Sequence, residues 1–188
     1  KEFDETVELL TPDYTSEKVT GESYGPLKVA CEETLIRRIK EQAIIIRPGY
    51  IVGDMDYTDR FSYYPIMMHF NDEVIMPKTN HLRYAIVDGK DLGAFVIHTL
   101  EQELSGIYHT IGPENLYFDQ FIEICKRTIN PNCNIHYVDQ TWLKDHDIIL
   151  ERAYPTCLDN EEGHILFSAN INKARKAGFK TTVSTKRR

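Results

Sequence analysis

An amphipathic segment that runs straight into a short β-branched stretch does most to limit the folds open to this sequence. From Tyr24 onward, Leu27, Ala30, Cys31, Thr34, Leu35 and Ile39 recur at i, i+3, i+4, i+7, i+8 and i+12, which is one face of a helix. Ser23 is the expected N-cap, and Pro26 falls in the first turn, where its missing N–H costs little. A few residues later the run over 43–47, Ala-Ile-Ile-Ile-Arg, is stopped by Pro48-Gly49. An aliphatic run so close behind a helix reads as a buried parallel strand.

The same alternation continues down the chain. The spacing predicts a helix over 61–70, strands over 73–76 and 84–87, a helix over 90–104 and a strand over 107–111. A turn at Gly112-Pro113 precedes a helix over 118–129, a strand over 135–138 and a helix over 142–146. Ser168-Ala169-Asn170 is expected to cap a last helix through Lys176, with Gly178 as its stop. Residues 1–22 sustain neither period and read as a surface loop. Helices alternating with strands define an α/β chain.

Composition excludes several partners. With 22 Lys and Arg against 29 Asp and Glu, the net charge of −7 argues against a nucleic-acid footprint or an anionic membrane surface. The basic cluster Lys186-Arg187-Arg188 is expected to be a solvated tail. No apolar run approaches the ~20 residues of a membrane span. The first ten residues carry five charges, unlike a secretory signal. The four cysteines are irregularly spaced and form no C-x-x-C pair, so neither a disulfide framework nor a zinc site is expected, and a reducing cytoplasm fits best. At 188 residues, roughly 70% of the unfolded surface can be buried without such staples.

Motif absences remove whole mechanisms. The sequence holds no G-x-G-x-x-G, no G-x-x-x-x-G-K-[ST], no H-E-x-x-H and no G-x-S-x-G. What remains is a tyrosine followed four residues later by a lysine. Such a pair stacks on one face of a helix, and positive charge beside a phenol favours the phenolate, the form that accepts a proton. Chance places roughly 0.7 such pairs in a chain with this Tyr and Lys content, and two occur, so spacing alone is weak. Tyr14–Lys18 lies in the turn-rich stretch, where no helix enforces the geometry. Tyr24–Lys28 opens the amphipathic helix, and the two residues lie about 40° apart and bracket Leu35. Both are therefore expected to point toward the buried face, a costly place for an unpartnered lysine.

The run Tyr24-Gly25-Pro26-Leu27-Lys28-Val29-Ala30-Cys31-Glu32-Glu33, followed by Ile46-Arg47-Pro48-Gly49-Tyr50-Ile51-Val52-Gly53, resembles the extended short-chain dehydrogenase/reductases, the NAD-dependent epimerase/dehydratases. Ile86-Val87-Asp88-Gly89-Lys90-Asp91-Leu92-Gly93 is similar to that family's strand-to-helix segment, and Gly106-Ile107-Tyr108-His109-Thr110-Ile111-Gly112 to the strand after it. The resemblance implies the C-terminal part of a Rossmann-type NAD(P)-binding fold plus a smaller α/β substrate-binding domain. Residues 1–53 would end the dinucleotide-binding domain, and residues 54–188 would form the substrate domain, with elements returning to the sheet.

The resemblance also implies roles. Tyr24 would be the catalytic acid/base, and Lys28 would support its phenolate and bond the nicotinamide ribose. Pro48 and Gly49 would pass beside the nicotinamide, Tyr50 would face the substrate, and Arg83 would grip an anionic group. Each has a plainer alternative: Pro48-Gly49 as a strand-ending turn, Arg47 as a structural ion-pair partner, Arg83 as a solvated edge charge. The cofactor would be NAD or NADP and the partner a small-molecule or nucleotide-sugar-like substrate, with neither nucleic acid nor membrane. A homodimer is compatible with this reading.

The family's glycine-rich turn is not in this sequence, and Thr11 is a poor candidate for its catalytic hydroxyl residue. The expectation is thus the C-terminal part of a longer epimerase or reductase, unable by itself to bind a dinucleotide. One rival is a non-catalytic dinucleotide-sensing or scaffold member of the same fold. Another is a structural α/β interaction domain with an accidental Tyr/Lys pair, which would leave Lys28 in solvent and away from any cleft.

Overall fold

The computed structural model describes residues 3–79, 81–159, 163 and 167–182, so the terminal Lys186-Arg187-Arg188 cluster lies outside the described residues. Helix α1, Gly21–Ile39, begins two residues before the expected cap. Thr20, not Ser23, is its N-cap: Thr20 Oγ1 accepts from the Ser23 amide at 3.2 Å, while Ser23 Oγ accepts from the Thr20 amide at 2.9 Å. Two orphan donors are satisfied reciprocally, so Ser23 serves as the third helical residue of a capping box. Pro26 sits in the second turn of α1.

After a 3₁₀ turn, Lys40–Gln42, strand β1 spans Ile44–Pro48 and pairs in parallel with β5, Gly106–Thr110, in the register Ile46 opposite Tyr108. Strand β2, Tyr50–Val52, was not expected from the sequence, because Pro48-Gly49 reads as a full stop. Gly49 instead steps the chain sideways, and β2 pairs in parallel with β4, Ile86–Asp88. A third parallel pair joins β3, Glu73–Pro77, to β6, Asn134–Val138. All three pairs are parallel, as the alternation requires. The helices between them are α2, Tyr63–Phe70; α3, Gly89–Glu101; and α4, Phe118–Ile129. Short helices α5, Gln140–Asp145; α6, Leu150–Ala153; and α7, Asn172–Lys176, complete the described elements. The N-cap of α7 is Ile171, which makes no side-chain cap hydrogen bond, so the expected cap is not at the helix start; Asn170, one residue before it, accepts from the Asn172 amide through Oδ1 at 2.8 Å.

The core is aromatic. Tyr64 meets Phe118 edge-on at 5.3 Å, and Tyr84 stacks on Phe121 at 4.6 Å. Both phenols are buried and stay protonated because burial raises their pKa values. Their polar ends are nevertheless satisfied: Tyr64 donates to the Pro155 carbonyl at 2.6 Å, and Tyr84 accepts from the Thr156 hydroxyl at 3.0 Å. These two bonds tie the 154–157 segment to the core.

Cys125 and Cys157 are buried free thiols, and burial pushes each up to about 12 from an ordinary value near 9.0. Between those values the unfolded chain has lost protons that the folded chain keeps. The contribution to stability is therefore full below about pH 9 and declines as pH rises toward about 12. Melting temperature measured from pH 8 to 11 should fall less steeply in the Cys125→Ala/Cys157→Ala double variant than in the parent. Equal slopes would refute this contribution.

Candidate functional site

Three devices assemble the region around the first two strands. The first is the Tyr24–Lys28 pair, which α1 brings together as its spacing requires, with Lys28 Nζ 5.5 Å from the Tyr24 ring centre. The expectation that both face the core is overturned: Tyr24 is 56% exposed and Lys28 is exposed. The buried positions of α1 are Val29 and Ala30, so Ala30 is the one residue of the hydropathy-selected stripe that is buried, and the helix is rotated off the rest of it. Leu35, Ile36 and Ile39 are exposed as well. Helical periodicity locates an apolar stripe but does not say whether anything packs on it.

The second device is an ion pair joining α1 to the end of β1. Arg47 donates through Nε to Glu32 Oε1 at 2.9 Å and through Nη2 to Oε2 at 2.5 Å, with the two side chains 19% and 18% exposed. A two-pronged guanidinium–carboxylate contact fixes orientation as well as distance. It holds the helix bearing Tyr24 against the strand that ends at Pro48. The plainer reading of Arg47 is the observed one.

The third device is the turn at Gly49. Its amide donates to the Thr110 carbonyl at 3.0 Å, and a Cβ there would come within 2.4 Å of the Ala85 carbonyl oxygen. Any side chain would force β2 off β4, so a packing constraint is sufficient to explain this glycine. Tyr50 follows, its amide bonded to Ala85 O at 2.8 Å and its ring 5.5 Å from Phe167. Burial raises the Tyr50 pKa and keeps the hydroxyl a donor, against a smaller opposing pull from Arg60.

Arg60 is a residue that the sequence reading missed. Its guanidinium lies 5.1 Å from the Tyr50 ring centre. The only sequence signal was one arginine in a polar loop, and the stacking partner ten residues earlier is supplied by the fold. Arg83 stands at an isolated antiparallel bridge with Tyr117 and lines a cleft of about 60 Å³ with Ile111, Glu114, Asn115 and Asn170.

A larger cleft of about 820 Å³ opens at the carboxyl end of β3, between Lys78, Thr79, Asp119, Glu123, Arg127 and Tyr137. Thr79 Oγ1 and Asp119 Oδ1 are buried there without a hydrogen-bond partner. None of the residues selected from the sequence lines this cleft. Among the described residues no group of three His, Cys, Asp or Glu could hold a metal ion, and no helix is long and apolar enough to cross a membrane.

No protein-family model and no curated protein matches the chain. Solved structures do. A UDP-N-acetylglucosamine 4-epimerase from Bacillus cereus aligns over 86% of this chain with a TM-score of 0.61 and 16% identity. An ADP-L-glycero-D-manno-heptose-6-epimerase from Helicobacter pylori aligns over 93%, with a TM-score of 0.58 and 12% identity. A hypothetical dTDP-4-dehydrorhamnose reductase from Sulfolobus tokodaii aligns over 94%, with a TM-score of 0.57 and 18% identity. The chain has the Rossmann-like α/β fold of such epimerases and reductases. It spans only 52 to 56% of the length of these three proteins.

Proposed function

We propose that this chain is the substrate-binding portion of an NAD(P)-dependent epimerase or reductase, acting on a hydroxyl or carbonyl of a small molecule of the nucleotide-sugar kind. The observation that carries this is the Tyr24–Lys28 pair on a helix that Glu32 and Arg47 fasten to the carboxyl end of β1. Open parallel sheets bind ligands outside the carboxyl ends of their strands. Pro48, Gly49 and Tyr50 stand at that end, and the three structures similar in fold are a UDP-N-acetylglucosamine 4-epimerase, an ADP-L-glycero-D-manno-heptose-6-epimerase and a hypothetical dTDP-4-dehydrorhamnose reductase.

The residues present fit only part of a dinucleotide. Tyr24 and Lys28 are side by side and open to a ribose, whereas no glycine-rich turn for a pyrophosphate occurs in the sequence. The dinucleotide's remaining contacts belong, on this reading, to a segment outside the chain. When bound, the cofactor supplies hydride transfer. Tyr24 moves a proton to or from the substrate oxygen, Lys28 places positive charge beside the developing phenolate, and Tyr50 donates a hydrogen bond.

The exposure of Lys28 favours the second reading, an interaction domain whose Tyr/Lys pair does no chemistry. One measurement tests the division of the cofactor site and a second separates the two readings. Calorimetric titration of the 188-residue chain with NAD and NADP should show no micromolar binding, and a micromolar dissociation constant would overturn the division of the cofactor site. The intact enzyme, mixed with oxidised or reduced nicotinamide cofactor and a panel of nucleoside-diphosphate sugars, should turn over at least one of them. Failure with every member would favour the interaction domain.

A further inference from the structure

Tyr24, Lys28 and Glu32 follow one another at four-residue intervals on α1, so each lies about 40° round the helix from the one before and one turn further along it. A lysine and a glutamate at that interval are neighbours and ordinarily pair. Here Glu32 is already taken. Arg47, reaching across from β1, donates through Nε to Oε1 at 2.9 Å and through Nη2 to Oε2 at 2.5 Å. Among the described residues Lys28 forms no salt bridge. A fork that satisfies both oxygens, in a pair only 19% and 18% exposed, outcompetes an ammonium that would hold one oxygen in solvent. Lys28 is thus set apart by having a carboxylate at the right interval that a rival cation holds.

The other charged groups around the pair are engaged or turned aside. Glu33 accepts from the Tyr14 hydroxyl, which also receives Arg37. Asp13, in the loop that bonds to the Pro26 carbonyl at 3.1 Å, accepts from Thr15 and Ser16. Lys18, whose carbonyl accepts from Ser23 Oγ at 2.8 Å, has the same sign of charge as Lys28. Glu22 stands two residues before Tyr24, about 200° round the helix. On the strand side, β5 sets His109 opposite Arg47, and burial lowers its pKa, so near pH 7 it carries no charge to compete for Glu32. Glu5 accepts from the His109 amide at 3.0 Å, and Asp4 from the Thr6 amide at 2.9 Å.

We propose that Arg47 is a positioning residue for the Tyr24–Lys28 pair: by holding both oxygens of Glu32 it keeps that carboxylate off Lys28 and leaves the ammonium's charge for the Tyr24 phenolate. This deepens the function proposed above and rests on its acid/base reading of Tyr24. Without Arg47, Glu32 is an unpaired carboxylate one turn from Lys28, and the two form an ion pair. Glu32 stands about 12 Å along the helix axis from Tyr24, so its effect on the phenol passes through Lys28.

The test is a pH titration of the Tyr24 Cζ NMR signal in the 188-residue chain, assigned by its loss in Tyr24→Phe. Arg47→Met should make the phenol harder to ionise, moving the titration midpoint up by about half a pH unit, roughly threefold in the ionisation constant. Arg47→Met/Glu32→Gln should return the midpoint to the parent position. A merely structural tie predicts no such rescue, because the double variant lacks the tie as well. In a Lys28→Met background the Arg47→Met step should nearly vanish, since no ammonium is left for Glu32 to take. Arg47→Lys, which holds one oxygen at most, should fall between the parent and Arg47→Met, and it supplies the reading if Arg47→Met does not fold. An unmoved midpoint in the Arg47 variants, a double variant as displaced as the single one, or a full shift in the Lys28→Met background would overturn the proposal. Retained turnover of the full-length Tyr24→Phe variant beside the expected midpoints would count against the acid/base reading alone, and unmoved midpoints beside lost turnover against the role of Arg47 alone.

Discussion

On the acid/base role proposed for it, replacing Tyr24 with Phe in the full-length protein should lower kcat by about 10²- to 10⁴-fold, the usual worth of one positioned proton-transfer group. The substitution removes one oxygen from a side chain that is 56% exposed, so folding should change by no more than about 0.5 kcal/mol. KM should move by a few-fold at most, because the hydroxyl is needed where charge develops rather than where the substrate is held. Tyr14 supplies the control, since it has a lysine at the same spacing. Its hydroxyl is bonded to Glu33 and receives Arg37 Nη2 at 2.7 Å, which fastens the 11–20 loop to α1. Tyr14→Phe should leave turnover unchanged. Steady-state kinetics on both variants checks the pair, and full activity in Tyr24→Phe would remove Tyr24 from the mechanism.

The largest effect on stability is expected at Phe118. It is 1% exposed, opens α4, and meets both Tyr64, at 5.3 Å, and Tyr84, at 5.7 Å. Truncation to Ala removes the whole ring from a site that two buried tyrosines, each bonded at its far end, cannot collapse to fill. A loss of about 3–5 kcal/mol follows from the transfer and cavity costs together. Phe70 is 76% exposed and provides the comparison, since Phe70→Ala should stay within about 0.5 kcal/mol of the parent. Guanidinium titration monitored by far-ultraviolet circular dichroism measures both. A Phe118→Ala loss below about 1 kcal/mol would show that the aromatic cluster is not the centre of the core.

Much of the fold was legible because it rests on local regularities. Helix α4 runs over the expected residues, 118–129, since its apolar positions keep a 3.6-residue period and Asn130 leaves the helical backbone. Strands β1, β3, β5 and β6 lie within a residue or so of expectation for the matching reason, compact apolar runs bounded by Pro, Gly or Asn. Strand β2 was not legible. A three-residue strand after Pro-Gly carries no period, and it exists because Gly49 lets the backbone approach Ala85.

The site divides along the same line. Sequence alone determined that Tyr24 and Lys28 stand side by side, because a four-residue interval on a helix is a local geometric fact. It also determined that Pro48-Gly49 closes β1. Only the tertiary structure decided that α1 turns Val29 and Ala30 inward and leaves the Tyr24–Lys28 face open. It likewise decided that Arg47 binds Glu32, that Arg60 covers Tyr50, and that two orphaned polar atoms line a cleft beside β3. Each of these joins residues through packing, and packing depends on how elements are rotated and stacked, which no residue interval along the chain encodes.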